Sequence, residues 1–490
     1  MFKLRSAVCQ LGLALVSCSQ AADLGAGARP KAQGGSSGDA AGGTSSSAGT
    51  PFNLGGSLLS PGEPAQGRPL PTCTDCGYPQ CEVGKATSIS GTVRTPARVS
   101  PDPLYNAVVY LPGAAVEPFS AGVSCDRCGN VSGKPVAAAL SDTSGHFKLD
   151  GVPSGHDISL VVQMGRWRRQ VKLPEVVACQ DNVLPEELTR LPRNRNEGDI
   201  PHVALVTSEY DFEECILRKI GIDDAEFTKP TEAGRVHLFW GTGTGGGNAL
   251  PSGKELWDDP SALARYDMVL LPCASAPRFL YGDPSPGSYS ASYQAVADYA
   301  NAGGRVFATD LSYPWIWDQG SPFATAANWV DDPGPASVLV ELDALDSRID
   351  TSFPKGQALA DWLQGIGATT TRGEIMLHET FRRSLSVNPP TQRWLYSTTP
   401  DSLQSFTFNT PLGATEAQQC GRFAYSSFHI ATGQTNDPFD PVPKAVGTFP
   451  MECDSAPLTP QERVLEFMLF DLASCVQIDM GDPKPPEVVK

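Results

Sequence analysis

The stretch YQAVADYANAGGRVFATD, residues 293–310, decides the fold. Its first twelve residues read as a helix stopped by Gly303 and Gly304, and RVFATD follows at once as an apolar strand. A helix that runs straight into a buried strand is one step of a parallel sheet covered on both faces. The same rhythm extends in both directions. PHVALVTSEY (201–210), VHLFWG (236–241) and YDMVLLPC (266–273) read as strands, and DFEECILRKIGI (211–222) as a helix. Later come SFTFNTP (405–411) and GRFAYSSFHI (421–430), closed by the amphipathic helix PQERVLEFMLFDLASCV (460–476). Residues 198–478 therefore form an α/β domain with a mostly parallel, flavodoxin-like sheet, followed by a tail at 479–490.

Three of these pieces, YDMVLLPC, YANAGGRVFATD and CGRFAYSSFH, resemble the class I glutamine amidotransferase-like fold, nearest to its trehalose-utilisation-like branch. The resemblance implies a cysteine nucleophile in a sharp turn after the strand that reads RVFATD here, and a histidine later in the chain. His429 stands where that histidine would be. At the turn, however, the chain has Asp310-Leu311-Ser312 and no G-x-C-x-G, so amide hydrolysis by that route is not expected.

In open sheets of this kind, ligands sit beyond the carboxyl ends of the strands. Those ends carry Glu209, the loop GTGTGGGN (241–248), Cys273, Asp310 and His429. The loop contains G-x-G-x-x-G at Gly241, Gly243 and Gly246, but Pro251 follows, no helix begins there, and a Walker lysine is missing. A dinucleotide or nucleotide site is not expected. LHETF (377–381) starts like a zinc-protease motif, but Arg382 occupies the place of the second histidine. Cys273 reads as a disulfide or core sulfur before it reads as a nucleophile. In DLSYPWIWD (310–318), Tyr313, Trp315 and Trp317 would share one face if the segment is extended, with Asp310 and Asp318 at its ends. Such a row suits stacking on sugar rings, and the alternative is that the aromatics plug the end of the sheet. The stretch from Gly320 to Thr371 is expected to be an irregular lid or insertion.

Upstream, residues 86–175 alternate as strands do: SISGTV, NAVVYL, HFKLDGV, DISLVVQ and RQVKLPEV. Short turn-rich spacings between them indicate a small antiparallel β-sandwich, placed at 73–192. ISGTV, PLYNAVVYL and SDTSGHFKLDGVPSGHDISLVV resemble the carboxypeptidase regulatory-like domain, which is transthyretin-like. The matching elements are Gly91 and Val93, the turn with Asp142, Gly145 and Phe147, and the turn with Val152, Pro153 and Gly155. The resemblance implies a binding or spacer module without catalytic residues. CDRC (125–128) falls in a segment longer than the pattern needs, read as a disulfide-braced insertion. His146 and His156 read as solvated turn residues. Arg166-Trp167-Arg168-Arg169 is either a grip for an anionic polymer or a solvated hairpin tip.

The amino end reads as an export signal. Lys3 and Arg5 precede an apolar run too short to span a bilayer, which ends in Leu15-Val16-Ser17-Cys18. Those four residues resemble the lipobox of bacterial lipoproteins. The resemblance implies that Cys18 is acylated and becomes the mature N-terminus; Ser19 after it implies the outer membrane. Residues 19–72, rich in Gly, Ser and Pro, are too polar to offset their ordering entropy and read as a tether. An exported chain meets an oxidising compartment, so Cys73, Cys76, Cys81, Cys125, Cys128, Cys179, Cys420 and Cys453 are disulfide candidates rather than zinc ligands. The eleven cysteines beyond Cys18 (these eight with Cys215, Cys273 and Cys475) are odd in number, so at least one late cysteine stays unpaired. The net charge of −17 repels phosphate backbones, which argues against nucleic acid as a partner.

The expectation is a non-catalytic, lipid-anchored envelope protein without cofactor or metal, binding a carbohydrate or another envelope ligand through Asp310, Tyr313, Trp315, Trp317, His429 and Glu209. One alternative is a hydrolase using Cys273 or Asp310 with His429. Another is a display protein whose ligand is a second protein.

Overall fold

The computed structural model describes residues 69–489 apart from 130, 243–248, 282–287, 319–320, 331–340, 431–448, 451–452 and 454. Cys18, the export signal, almost all of the tether, and Gly243 and Gly246 of the glycine-rich loop lie outside the described residues. Residues 61–490 form one compact unit.

The amino-terminal half holds two sheets. One runs in the order Thr74–Gly77, Ser154–Met164, Val108–Pro112, Pro135–Leu140, with Trp167–Val176 also paired to Ser154–Met164. The other orders His146–Asp150, Ser88–Thr92 and Asp181–Val183. Ile89, Phe147 and Leu149 of the small sheet share a buried core with Val109, Leu111, Ile158 and Leu160 of the larger one. All pairs but one are antiparallel; Asp181–Val183 runs parallel to Ser88–Thr92. The Asp142 turn shows why its residues are of these types. The Asp142 carboxylate accepts the N–H groups of Ser144 and His146 at 2.8 and 2.9 Å. Gly145 turns at φ +75°, where a Cβ would strike the Val93 carbonyl oxygen.

Among the described residues the carboxy-terminal half holds one 12-stranded sheet. Six strands are parallel, in the order Phe227–Thr228, Val236–Trp240, Val203–Thr207, Met268–Leu271, Arg305–Thr309, Gly421–Ser426. Beyond Gly421–Ser426 the sheet continues antiparallel through Asp401–Thr410, Gln392–Thr398, Glu341–Ile349 and Glu374–Phe381. This corrects the expectation of a mostly parallel, flavodoxin-like sheet. The physical reason is connection length: Thr398 opposes Asp401 across the two-residue turn Thr399-Pro400, and so short a link can join only antiparallel strands. The stretch from Gly320 to Thr371 is likewise not an irregular lid. Its described part contains the strand Glu341–Ile349 and the twelve-residue helix Pro354–Gly365.

The two halves are stitched together. The helix Ser290–Asn301 ends as the double glycine requires, Gly303 turning at φ +120° against the backbone of Ser124 and Cys125 in the insertion. Disulfides join Cys125 to Cys420 and Cys128 to Cys475, so the CxxC pair of the insertion reaches two separate points of the α/β half. Cys73–Cys76, Cys81–Cys179 and Cys215–Cys453 complete the set among the described residues, so Cys215 and Cys475 join the expected candidates, and Cys273 stays free and buried. The arginine cluster is neither an exposed grip nor a solvated tip. Arg166 is buried between Asp126 (2.7 Å) and Asp267 (2.6 Å), Arg168 pairs with Asp199 (2.8 Å), and Trp167 lies in the core.

Candidate functional site

Parallel strands end on one edge, so residues far apart in sequence meet there. Cys273 follows Met268–Leu271, Asp310 follows Arg305–Thr309, and His429 follows Gly421–Ser426. One donor atom from each lies within 4.8 Å of the other two. The Cys273 thiol donates to Asp310 Oδ2 at 3.2 Å, and His429 Nδ1 lies 2.8 Å from the same oxygen. That second approach is off the ring's N–H direction, so it is an ion-pair contact rather than an aligned hydrogen bond. Asp310 Oδ1 is buried and makes no hydrogen bond among the described residues.

Two further acids complete the site, and sequence reading passed over both. Glu379, discarded with the failed LHETF motif, places Oε2 3.7 Å from His429 Nε2. It gets there because Glu374–Phe381 crosses the chain at Phe428, where Thr380 bridges to it. Asp211, the first residue of DFEECILRKIGI, is wholly buried. Its carboxylate accepts the Cys273 N–H at 3.2 Å, the Ile430 N–H at 3.1 Å and the Thr309 hydroxyl, pinning the ends of three strands at once. Asp211 follows the first apolar strand closely, and that position was the one available signal.

The backbone is strained at this edge. Asp310, Ala274 beside Cys273, and Glu379 adopt φ of +46°, +62° and +47°, a region costly for side chains with a Cβ. Tyr425 donates its hydroxyl to the Asp310 carbonyl at 2.9 Å, and Gln461 of the closing helix donates to the His429 carbonyl at 2.8 Å.

Electrostatics follow from burial among carboxylates. Burial pushes the Cys273 thiol well up, and Asp310 and Asp211 push it further. Burial pushes His429 down, but Asp310, Asp211 and Glu379 outweigh it and set the ring at about 9. Glu213, buried beside Asp211 and Glu214, is pushed well up, first by desolvation and then by those neighbours.

The remaining expected site residues separate from this cluster. Tyr313 and Trp315 are only 3% and 1% exposed. The segment is helical, a 3₁₀ turn at Asp310–Ser312 followed by Pro314–Trp317, not extended. In a helical segment Tyr313 and Trp317, at i and i+4, lie side by side with ring centroids 5.6 Å apart while Trp315 faces elsewhere, so the three do not form one row of sugar-stacking faces. Trp315 packs instead against Trp257 and Tyr293, with ring centroids 5.1 and 5.3 Å away. Trp317 is partly buried beside Arg278. Glu209 donates its N–H to the Thr242 hydroxyl at 3.2 Å and is not one of the three clustered donors.

No family model matches this chain, and the comparison with curated proteins finds no match. Among solved structures, 46% of the chain aligns with 87% of a cytoplasmic protein from Salmonella typhimurium at 12% identity and a TM-score of 0.26. The same share aligns with 81% of a ThuA-like protein from Bacteroides uniformis at 11% identity and a TM-score of 0.24. A share of 28% of the chain aligns with 85% of a chain from a type II cohesin–X-dockerin complex of Acetivibrio cellulolyticus, at 13% identity and a TM-score of 0.16. At these scores the likeness carries no argument about activity.

Proposed function

We propose that the chain is an exported lipoprotein, anchored through Cys18, whose α/β half is a degenerate amidotransferase-like domain of the trehalose-utilisation-like branch that binds a ligand and does not cleave amides. One observation carries this reading. At the turn where a nucleophile would stand, the chain holds the wholly buried carboxylate of Asp310, engaged by the Cys273 thiol and by His429. The thiol spends its hydrogen on Asp310 and is itself buried, so no sulfur nucleophile is offered to a substrate. Glu379 and His429 keep part of their side chains open, at 19% and 12%. A carboxylate and an imidazole so placed can bond the hydroxyls of an envelope carbohydrate. In a retention assay on immobilised peptidoglycan and an envelope-glycan array, E379Q and H429Q should each weaken binding by about tenfold or more. Retention equal to that of the unaltered protein would remove this site from the reading.

A second reading rests on the same ring. His429 between Asp310 and Glu379 is also an acid–base arrangement, as the hydrolase alternative requires. Turnover of an ester or amide panel that disappears in H429Q would put that reading in place of binding.

A further inference from the structure

We infer that Cys273, Asp310 and His429 are the protein ligands of a divalent transition-metal ion of the zinc class, with Glu379 orienting the histidine. The inference rests on the proposed reading only in taking this cluster as the ligand site. The donor set is a thiol sulfur, a carboxylate and an imidazole nitrogen, which suits a borderline-soft ion far better than calcium or magnesium. In a tetrahedral zinc site, bonds of about 2.0–2.3 Å put neighbouring donors roughly 3.3–3.8 Å apart. Here the Sγ–Oδ2 and Nδ1–Oδ2 separations are 3.2 and 2.8 Å, and all three donors fall within 4.8 Å, so shifts of about an ångström or less would admit the ion.

Two further observations point to a ligand, the first of them independent of that spacing. Asp310 Oδ1 is wholly buried and takes no hydrogen bond among the described residues, a costly arrangement unless something else approaches it. His429 presents its two nitrogens to different neighbours, Nδ1 to Asp310 and Nε2 to Glu379 at 3.7 Å. A metal-bound histidine commonly has its second nitrogen turned to a carboxylate in this way, which fixes the ring and raises its basicity. Asp211 supplies the outer support, holding the N–H groups of Cys273 and Ile430. Three protein ligands leave a fourth position open, as in sites where the ion meets an exogenous ligand. On binding, the thiol hydrogen now given to Asp310 and the Nδ1 proton of the His429 ring both leave to solvent, and a sulfur–metal and a nitrogen–metal bond replace them.

The test is a titration of the intact protein with Co²⁺ in place of Zn²⁺. One ion should bind per chain, with the near-ultraviolet absorption of cobalt–thiolate charge transfer. That band should vanish in C273A, and affinity should fall by about a hundredfold in D310N and H429Q and by about tenfold in E379Q. Absence of the band in the folded, unaltered protein, or a band unchanged in C273A, would overturn the inference. Should the variants fold poorly, X-ray absorption of the zinc-loaded unaltered protein decides the matter: one sulfur with nitrogen and oxygen neighbours supports it, and an all-oxygen shell overturns it. These spectra do not depend on glycan retention, so this inference and the binding reading can fail separately.

Discussion

His202 and His237 stand edge to face, their ring centroids 4.5 Å apart and their Nε2 atoms at 3.4 Å. Burial first, then the neighbouring His237 and Arg235, hold His202 down at about 4. A ring whose folded value lies below its ordinary 6.5 contributes stability that is complete above that value and is lost as pH falls toward 4. The melting temperature should therefore drop between pH 6.5 and 4 in the unaltered protein and drop less in H202Q. Parallel curves would mean that the ring stays accessible to protons in the fold. At this scale the ends of the strands were legible, because a residue just after an apolar run in an α/β chain must lie on the carboxyl edge. Cys273, Asp310 and His429 were placed that way. Glu379 was not, because it enters the site from an antiparallel strand by a crossing at Phe428 that no local pattern encodes.

The segment Asp310–Trp317 shows where element reading failed. Alternating aromatics imitate strand periodicity, but Pro314 occupies the first position of a helical turn, where its fixed φ and missing N–H cost nothing. The helix turns Trp315 inward against Trp257 and Tyr293 and leaves Trp317 nearer the surface. Trp315 is thus a core residue, and W315A should cost about 3–5 kcal/mol of unfolding free energy, against roughly 1 kcal/mol or less for W317A. Urea denaturation measures both. A W315A protein as stable as the original would reopen the aromatic platform that the helix rules out. The antiparallel half of the sheet was hidden for a related reason. Its register depends on short hairpins, and between Glu341 and Thr410 the sequence gives little to separate a buried strand from an insertion.

At the scale of the molecule, five disulfides among the described residues accord with the proposed export to an oxidising compartment. Two of them, closing separations of 295 and 347 residues, tie the insertion of the β half to the end of the α/β half. Arg166, bonded to Asp126 and Asp267, runs along the same seam. Covalent links across so long a chain restrict the unfolded ensemble most, by roughly 2–5 kcal/mol each. The odd cysteine count betrayed that one late cysteine stays unpaired, but neither that Cys215 and Cys475 are bridged nor which cysteines are partners, since connectivity depends on how the two halves meet. The proposed export, oxidation and anchoring form one scheme, and one measurement addresses all three. Mature protein taken from membranes of its native host, alkylated without reduction and mapped by mass spectrometry, should carry acyl chains on Cys18. It should also yield the Cys125–Cys420 and Cys128–Cys475 peptides and an unbridged Cys273. An unmodified Cys18 would detach the molecule from the membrane while leaving its fold untouched. Free thiols at Cys125 and Cys128 would place it in a reducing compartment and remove the export signal's physical rationale.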